Sequence, residues 1–294
     1  MSSTVTGHSA LKRAVRELGL AGIEDARAEA RIVLAHALGV ALSQLDLHLR
    51  DPLPPEVAQS LATLVRERAS RRPLAYVLGE TEFMGLRFKC DERALAPRPE
   101  TEVLVEEVEK RVARDARGHV LLDVGAGAGA IGLSLAVRLP GLRVILTDVS
   151  ADALALAKQN AELLGIADRV RWLEGPGLTP VVEAALGAEV TVLASNPPYI
   201  APRDVPGLPP EVALHEPELA WRGEGEEGLA CHQGIVSQGR ALLPILRLVA
   251  FEVGLGQAPA VAELCRGAWP SFAVSIVRDL SGIDRVVLGE AARG

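Results

Sequence analysis

The chain has 294 residues, 49% of them hydrophobic, and sets 31 Lys and Arg against 38 Asp and Glu for a formal charge of −7, so it is long enough for two domains and apolar enough for buried cores. No apolar run approaches the roughly 18 to 20 residues of a membrane span, and the N-terminal MSSTVTGHSALKRAVRELG lacks a signal peptide's apolar centre, so a folded cytoplasmic protein with no membrane partner is expected. Residues 1–85 balance 10 basic side chains against 10 acidic ones and the remainder holds 21 against 28; neither part is a basic platform, and nucleic acid is not an expected partner.

The first 85 residues read as helices. SALKRAVRELGLAG places Leu11, Val15 and Leu18 at helical spacing and ends on glycines, EDARAEARIVLAHALG repeats the pattern, and PEVAQSLATLVRERASR opens with proline in its first turn. A small helical N-terminal domain is predicted over 1–85. Phe83, Leu86 and Phe88 around Gly85 then suggest a short hairpin closed by Pro97 and Pro99, which makes 86–100 a hairpin or linker and 101–294 the second domain. In APRPETEVLVE, Arg98, Glu100 and Glu102 either shape a ligand entrance or form a solvated ion-pair cluster.

From His119 onward strands alternate with helices: HVLLDV, LRVILTDV, RVRWLE, EVTVLAS, LRLVAFEV, FAVSIVRD and DRVVLGE. Ala- and Leu-rich stretches such as SADALALAKQNAELLG lie between most of them, with Ser150 as N-cap and Gly165 as stop. This alternation predicts an α/β fold with helices on both faces of a sheet, and the short LSGI between the last two strands favours an antiparallel edge. Cys90, Cys231 and Cys265 are odd in number and widely spaced, so neither a disulfide framework nor a zinc site is expected, and the six histidines show no metal-like spacing.

Two segments carry chemistry. LLDVGAGAGAIGLSLA sets Gly125, Gly127, Gly129 and Gly132 between a strand and a helix, where the backbone can turn tightly and approach a ligand. Gly127, Gly129 and Gly132 also fit G-x-G-x-x-G, with Asp148 at the end of the next strand where a ribose-binding acid belongs, as in a nicotinamide enzyme. Asp123, two residues before the first glycine, points the other way, because an acid there suits a cation and opposes a pyrophosphate. The second segment, LASNPPYI, ends a strand on Asn196, Pro197, Pro198 and Tyr199. Asn196 Oδ1 and the Pro197 carbonyl are two acceptors suited to the hydrogens of a planar NH2 group, Pro198 stiffens the loop, and Tyr199 offers a flat face. A proline-terminated strand with a core tyrosine is the alternative. Glu252, ending the apolar strand of FEVG, either orients the site or is a satisfied strand-end carboxylate.

DVGAGAG together with NPPY resembles the S-adenosylmethionine-dependent amino-methyltransferases. RPLAYVLGETEFMGLRF, APRPETEVLVE, TDVSADALALAKQNA, SNPPYIA, HEPELAW, FEVGLGQ and DLSGIDRVVLGE extend the resemblance to the peptide-chain release factor glutamine methyltransferases of HemK or PrmC type. The resemblance implies a helical N-terminal domain that helps hold the release factor and a domain with a seven-stranded methyltransferase sheet. It implies S-adenosyl-L-methionine as cofactor, contacted by Asp123, Gly125, Ala126, Gly127, Ala128, Gly129, Asp148 and Asn196. It implies catalysis by Asn196, Pro197 and Tyr199, with Asn196 to Tyr199 holding the glutamine of the factor's Gly-Gly-Gln motif, and no metal. A glutamine of a large-subunit ribosomal protein, or the amino group of a flipped nucleic-acid base, is the alternative substrate.

Overall fold

Helical periodicity and strand–helix alternation fold as two units in the computed structural model, which describes residues 5–292. The first unit runs to Glu80 and takes in Pro209–His215. Its helices Gly7–Leu20, Ala26–Leu38, Leu45–His48, Pro55–Ala69 and Leu74–Leu78 bury an apolar stripe that includes Leu18, Leu34, Leu45, Leu61 and Val65. Thr6 caps the first helix, accepting from Ser9 N at 3.3 Å while Ser9 Oγ accepts from Thr6 N at 3.1 Å. Gly39, at φ +67°, ends the second helix, and Pro55 occupies the first turn of the fourth. Arg68 is 5% exposed; it pairs with Glu29 and, at 2.9 Å, with Glu211, which Arg71 also meets at 2.8 Å. These charge-assisted bonds tie helix Pro210–His215 to this unit.

Among the described residues nine strands follow in chain order: β1 Glu80–Phe83, β2 Leu86–Lys89, β3 Val120–Val124, β4 Arg143–Asp148, β5 Val170–Glu174, β6 Val192–Ser195, β7 Leu248–Glu252, β8 Phe272–Arg278 and β9 Asp284–Ala291. The last seven form one sheet in the order β5-β4-β3-β6-β7-β9-β8. The five strands from β3 to β7 pair in parallel, and β9 runs antiparallel between β7 and β8, so the expected antiparallel edge is present with β8 outermost. Alternation of side chains divides the core: Leu121, Val144 and Ala194 pack on one face, Leu122, Ile145 and Leu193 on the other. Burial on both faces is why these strands read as continuous apolar runs.

The unit boundaries differ from the expected 1–85, 86–100 and 101–294. β1 and β2 are joined by a two-residue turn with φ +54° at Met84 and +73° at Gly85, and they belong to the sheet unit. The reason is burial. Phe83 and Phe88 are 1% and 0% exposed, meet edge to face with ring centres 6.0 Å apart, and join the cluster of Leu104 and Leu121. Glu102 Oε1 accepts from Met84 N at 2.6 Å and Asn160 Oδ1 from Lys89 N at 2.7 Å, which fixes both arms of the hairpin. Pro209–His215 leaves the sheet unit because Glu211 finds its two arginines in the first.

Where β3 passes into helix Ala130–Arg138, helix and sheet approach closely. A Cβ on Gly132 would lie 2.4 Å from Leu146 Cδ2 and 3.0 Å from Val144 Cγ1, so only glycine allows that approach. Gly132 N donates to Asp123 Oδ2 at 2.9 Å, while Oδ1 of this fully buried carboxylate has no partner. Burial, offset by the Gly132 amide and reinforced by the charge of Asp148, pushes the Asp123 carboxyl up to about 7. The native state therefore binds the proton more tightly than the unfolded chain, and the resulting stability is lost as pH rises from about 4 to about 7. Asp123→Asn keeps an acceptor for Gly132 and removes the titration. In thermal melts across that range it should gain on the wild type with rising pH, by on the order of 4 kcal/mol at the upper end. A constant difference would show that Asp123 ionises without cost.

Candidate functional site

In the order β5-β4-β3-β6-β7 the chain direction of the winding reverses between β3 and β6, and ligands of open α/β sheets bind at the carboxyl ends beside such a reversal. The two segments that the sequence singles out both end there. Asp123 pairs with Ala194 across the switch, so the glycine turn after β3 and Asn196 after β6 leave the sheet side by side. Ser195 Oγ donates to the Val124 carbonyl at 2.6 Å and ties the two ends together.

The glycine turn is held by backbone bonds. Gly125 N and Ala126 N both donate to the Thr147 carbonyl at 2.9 Å, and Gly127 N donates to Asp148 Oδ2 at 2.8 Å. Gly125, Gly127 and Gly129 adopt φ of +72°, +56° and +84°, the left-handed region that any L side chain resists. A Cβ on Gly125 would meet nothing within 4 Å, so this backbone faces open space, whereas Ala126 and Ala128 point inward at 8% and 3% exposure. Asn160, wholly buried, donates to the Ala128 carbonyl at 3.0 Å and to the Lys89 carbonyl at 3.2 Å, and so anchors the turn to β2. Its motif is quoted above, yet its role is legible only once helix Ala151–Leu163 is seen lying behind the turn.

The two acids differ. Asp148 is half-buried, accepts from Gly127 N and, at 2.9 Å, from Ser150 N, and keeps a lone pair on each oxygen for a further donor. Burial raises its pKa, and these backbone amides oppose the rise. Asp123 lies beneath the turn with its carboxylate on Gly132. Open backbone at Gly125, a half-buried carboxylate at Asp148 and a buried, partly ionised carboxyl at Asp123 suit a hydroxyl-bearing cation, and so they fit S-adenosyl-L-methionine. They suit a pyrophosphate poorly.

Asn196 is half-buried, Pro197 buried, and Pro198 and Tyr199 half-buried. Asn196 Nδ2 donates to Thr101 Oγ1 at 3.3 Å, Thr101 Oγ1 donates to Glu252 Oε2 at 2.6 Å, and Tyr199 OH donates to Glu252 Oε1 at 3.1 Å. Burial, with Glu252 adding to it, raises the Tyr199 phenol and keeps it protonated. Gln257 Nε2 donates to the carbonyls of Tyr199 at 2.9 Å and Glu227 at 2.8 Å, and its Oε1 accepts from Gly254 N. Thr101 and Gln257 were not singled out from the sequence; both lie inside motifs quoted above, and only the fold brings them to Asn196 and Tyr199. Of the RPETE charges, Arg98 pairs with the buried Glu216, Glu102 holds the hairpin and Glu100 is exposed.

Comparison with known proteins agrees with this geometry. Residues 9–79 match the family model described as the PrmC N-terminal domain, and residues 99–207 match the methyltransferase small domain. A release factor glutamine methyltransferase of Cereibacter sphaeroides is 39% identical over 278 residues, 95% of this chain and 96% of the relative. One from Moorella thermoacetica is 38% identical over 284 residues, 97% and 98% of the two chains. In fold alone, the N-terminal domain of human METTL16 in complex with SAH is similar at a TM-score of 0.53 and 18% identity, over 88% of this chain and 94% of that one. Glycine turn, Asn-Pro-Pro-Tyr turn and near full-length similarity coincide, and the chain belongs to the release factor glutamine methyltransferase family.

Proposed function

We infer that the protein transfers a methyl group from S-adenosyl-L-methionine to the side-chain amide nitrogen of the glutamine in the Gly-Gly-Gln motif of a peptide-chain release factor, in the cytoplasm. The observation that carries this reading is the Asn196–Tyr199 turn fixed beside the glycine turn at the switch between β3 and β6. Family membership supplies the substrate.

The cofactor, when bound, supplies an electrophilic methyl group on a sulfonium. The open backbone from Gly125 to Gly129 would lie along its methionine and ribose portion, and the free lone pairs of Asp148 would accept from ribose hydroxyls. Asp123, a partly ionised carboxyl beneath the turn, favours a cation there. An amide nitrogen is a weak nucleophile because its lone pair is delocalised into the carbonyl. Two acceptors, Asn196 Oδ1 and the Pro197 carbonyl, hold the NH2 hydrogens so that the nitrogen faces the methyl group, and they favour the more pyramidal nitrogen of the transition state. Tyr199, held at its hydroxyl by Glu252 and at its carbonyl by Gln257, offers a rigidly held flat ring to the planar carboxamide. The helical unit helps hold the release factor.

Incubation with radiolabelled S-adenosyl-L-methionine and, separately, release factor, ribosomal protein and nucleic acid tests the reading. Label is expected on the release factor alone, and none once its motif glutamine is changed. Asn196→Ala should lower the transfer rate by about 100-fold or more while the protein still melts cooperatively. Label on another substrate only would replace the biology, and normal transfer by Asn196→Ala would remove the role given to that residue.

A further inference from the structure

Asn196 can serve as an acceptor toward an NH2 group only if its own amide is turned with Oδ1 outward, and an asparagine side chain is nearly symmetric in shape. Something must choose between the two orientations. We propose that Thr101 and Glu252 are positioning residues that set the polarity of the Asn196 amide, spending its NH2 inward so that Oδ1 is left for the substrate. The inference deepens the reading above and rests on it for the identity of the substrate.

Thr101 is 4% exposed and Glu252 2%, so neither trades its bonds with bulk water. The two Glu252 oxygens receive two hydroxyl donors, Thr101 at 2.6 Å and Tyr199 at 3.1 Å, the pattern of an ionised carboxylate, which only accepts. A threonine hydroxyl has one proton. Because that proton goes to Glu252, the oxygen of Thr101 can only accept from its other neighbour, and the group it faces at 3.3 Å must be the Asn196 NH2. With the amide flipped, Oδ1 and the Thr101 oxygen would face each other with no proton between them, at the cost of an unmade bond in a buried place. Among the described residues Asn196 Oδ1 has no hydrogen-bond partner, so the acceptor that the chain of bonds frees is not spent within the protein.

Burial works against the charge at the head of this chain, and the donors around it work for it. Burial raises the Glu252 carboxyl, and Glu100 adds to the rise; Thr101, Tyr199 and Arg285 oppose it. Arg285 is held in place by Asp279 Oδ2 at 3.1 Å and donates to the Val253 carbonyl at 3.3 Å. His232 Nε2 lies 2.9 Å from the Glu252 backbone carbonyl, and burial keeps this imidazole toward its neutral form. Because Tyr199 hangs on the other oxygen, one buried anion orders both the acceptor and the ring of the substrate turn.

A double-mutant cycle tests this. Thr101→Val keeps the side chain's shape and removes its lone pairs, and Thr101→Ser restores them. For transfer to the release factor, Thr101→Val should lower kcat by about 10- to 100-fold with cofactor affinity by calorimetry changed less than about twofold, and Thr101→Ser should stay within about threefold of wild type. In an Asn196→Ala background, Thr101→Val should cost nothing more, because it acts only through the amide it no longer has. The same factor lost in both backgrounds would overturn the proposal. A second readout needs no substrate. In protein labelled with 15N-asparagine, the Asn196 side-chain NH2, identified by its absence from Asn196→Ala, should be protected from solvent exchange in wild type and Thr101→Ser and unprotected in Thr101→Val. An unprotected NH2 in wild type would also overturn it. If wild type leaves the release factor unlabelled, the functional reading fails while the exchange measurement still decides this one. If Thr101→Val does not fold, Glu252→Asp, which draws the charge back from Thr101, is expected to show the same loss of kcat and of protection.

Discussion

The close approach of helix Ala130–Arg138 to the sheet is the constraint on which the rest depends. With no Cβ at Gly132, the helix settles onto Val144 and Leu146, and its amide reaches the buried Asp123. That contact fixes where the chain must turn after β3, and the turn is then so tight that three glycines carry positive φ. The Thr147 carbonyl receives two amides from it, which aligns the turn with the end of β4 and brings Asp148 within reach of Gly127. A larger residue at Gly132 would lift the helix, and the ligand-facing backbone would lose its anchor before any site residue was altered.

On the other side of β3 the same end of the sheet is stitched by side chains. Ser195 bonds to Val124, Thr101 and Tyr199 converge on Glu252, and Gln257 spans from Tyr199 to Glu227. Ser195 thereby pairs a carbonyl at the end of β3, Thr101 and Tyr199 pair the buried Glu252 carboxylate, and Gln257 pairs carbonyls of the adjoining loops. The turn from Asn196 to Tyr199 is therefore held by side chains from three separate segments, and two prolines limit what freedom remains.

Much of this was legible in the sequence, and the parts that were not share a cause. The central strands β3, β4, β6 and β7 stand out because burial on both faces demands continuous apolar runs, and Ser150 and Gly165 mark helix ends by local chemistry. Gly125 to Gly129 and Asn196 to Tyr199 are equally local, since each is a turn whose residue types are set by its own backbone. Partners far apart along the chain carry no such mark. Glu211 meets Arg68 across 143 positions and Thr101 meets Glu252 across 151, so the membership of Pro209–His215 in the helical unit and the order of the site network follow only from the fold. The hairpin read as a linker because alternating Phe83 and Phe88 resemble any short amphipathic strand pair, and their complete burial against Leu104 depends on a helix that comes later.

The spacing of the glycines alone is compatible with a nicotinamide cofactor, and electrostatics decides between that and the family's cofactor. Asp123 ends β3, Asp148 ends β4 and Glu252 ends β7, all carboxyls at the carboxyl edge of one parallel sheet. Burial raises all three, so each unpaired negative charge is costly and the region gains from a cation. A pyrophosphate would add two charges of the wrong sign next to Asp123, whose free Oδ1 has no donor to share. A sulfonium with an amino group brings the opposite sign. The carboxyls raised by burial at this edge of the sheet thus make an anionic ligand costly and a cationic one favourable, and the stability given up in burying them is recovered only where positive charge comes near.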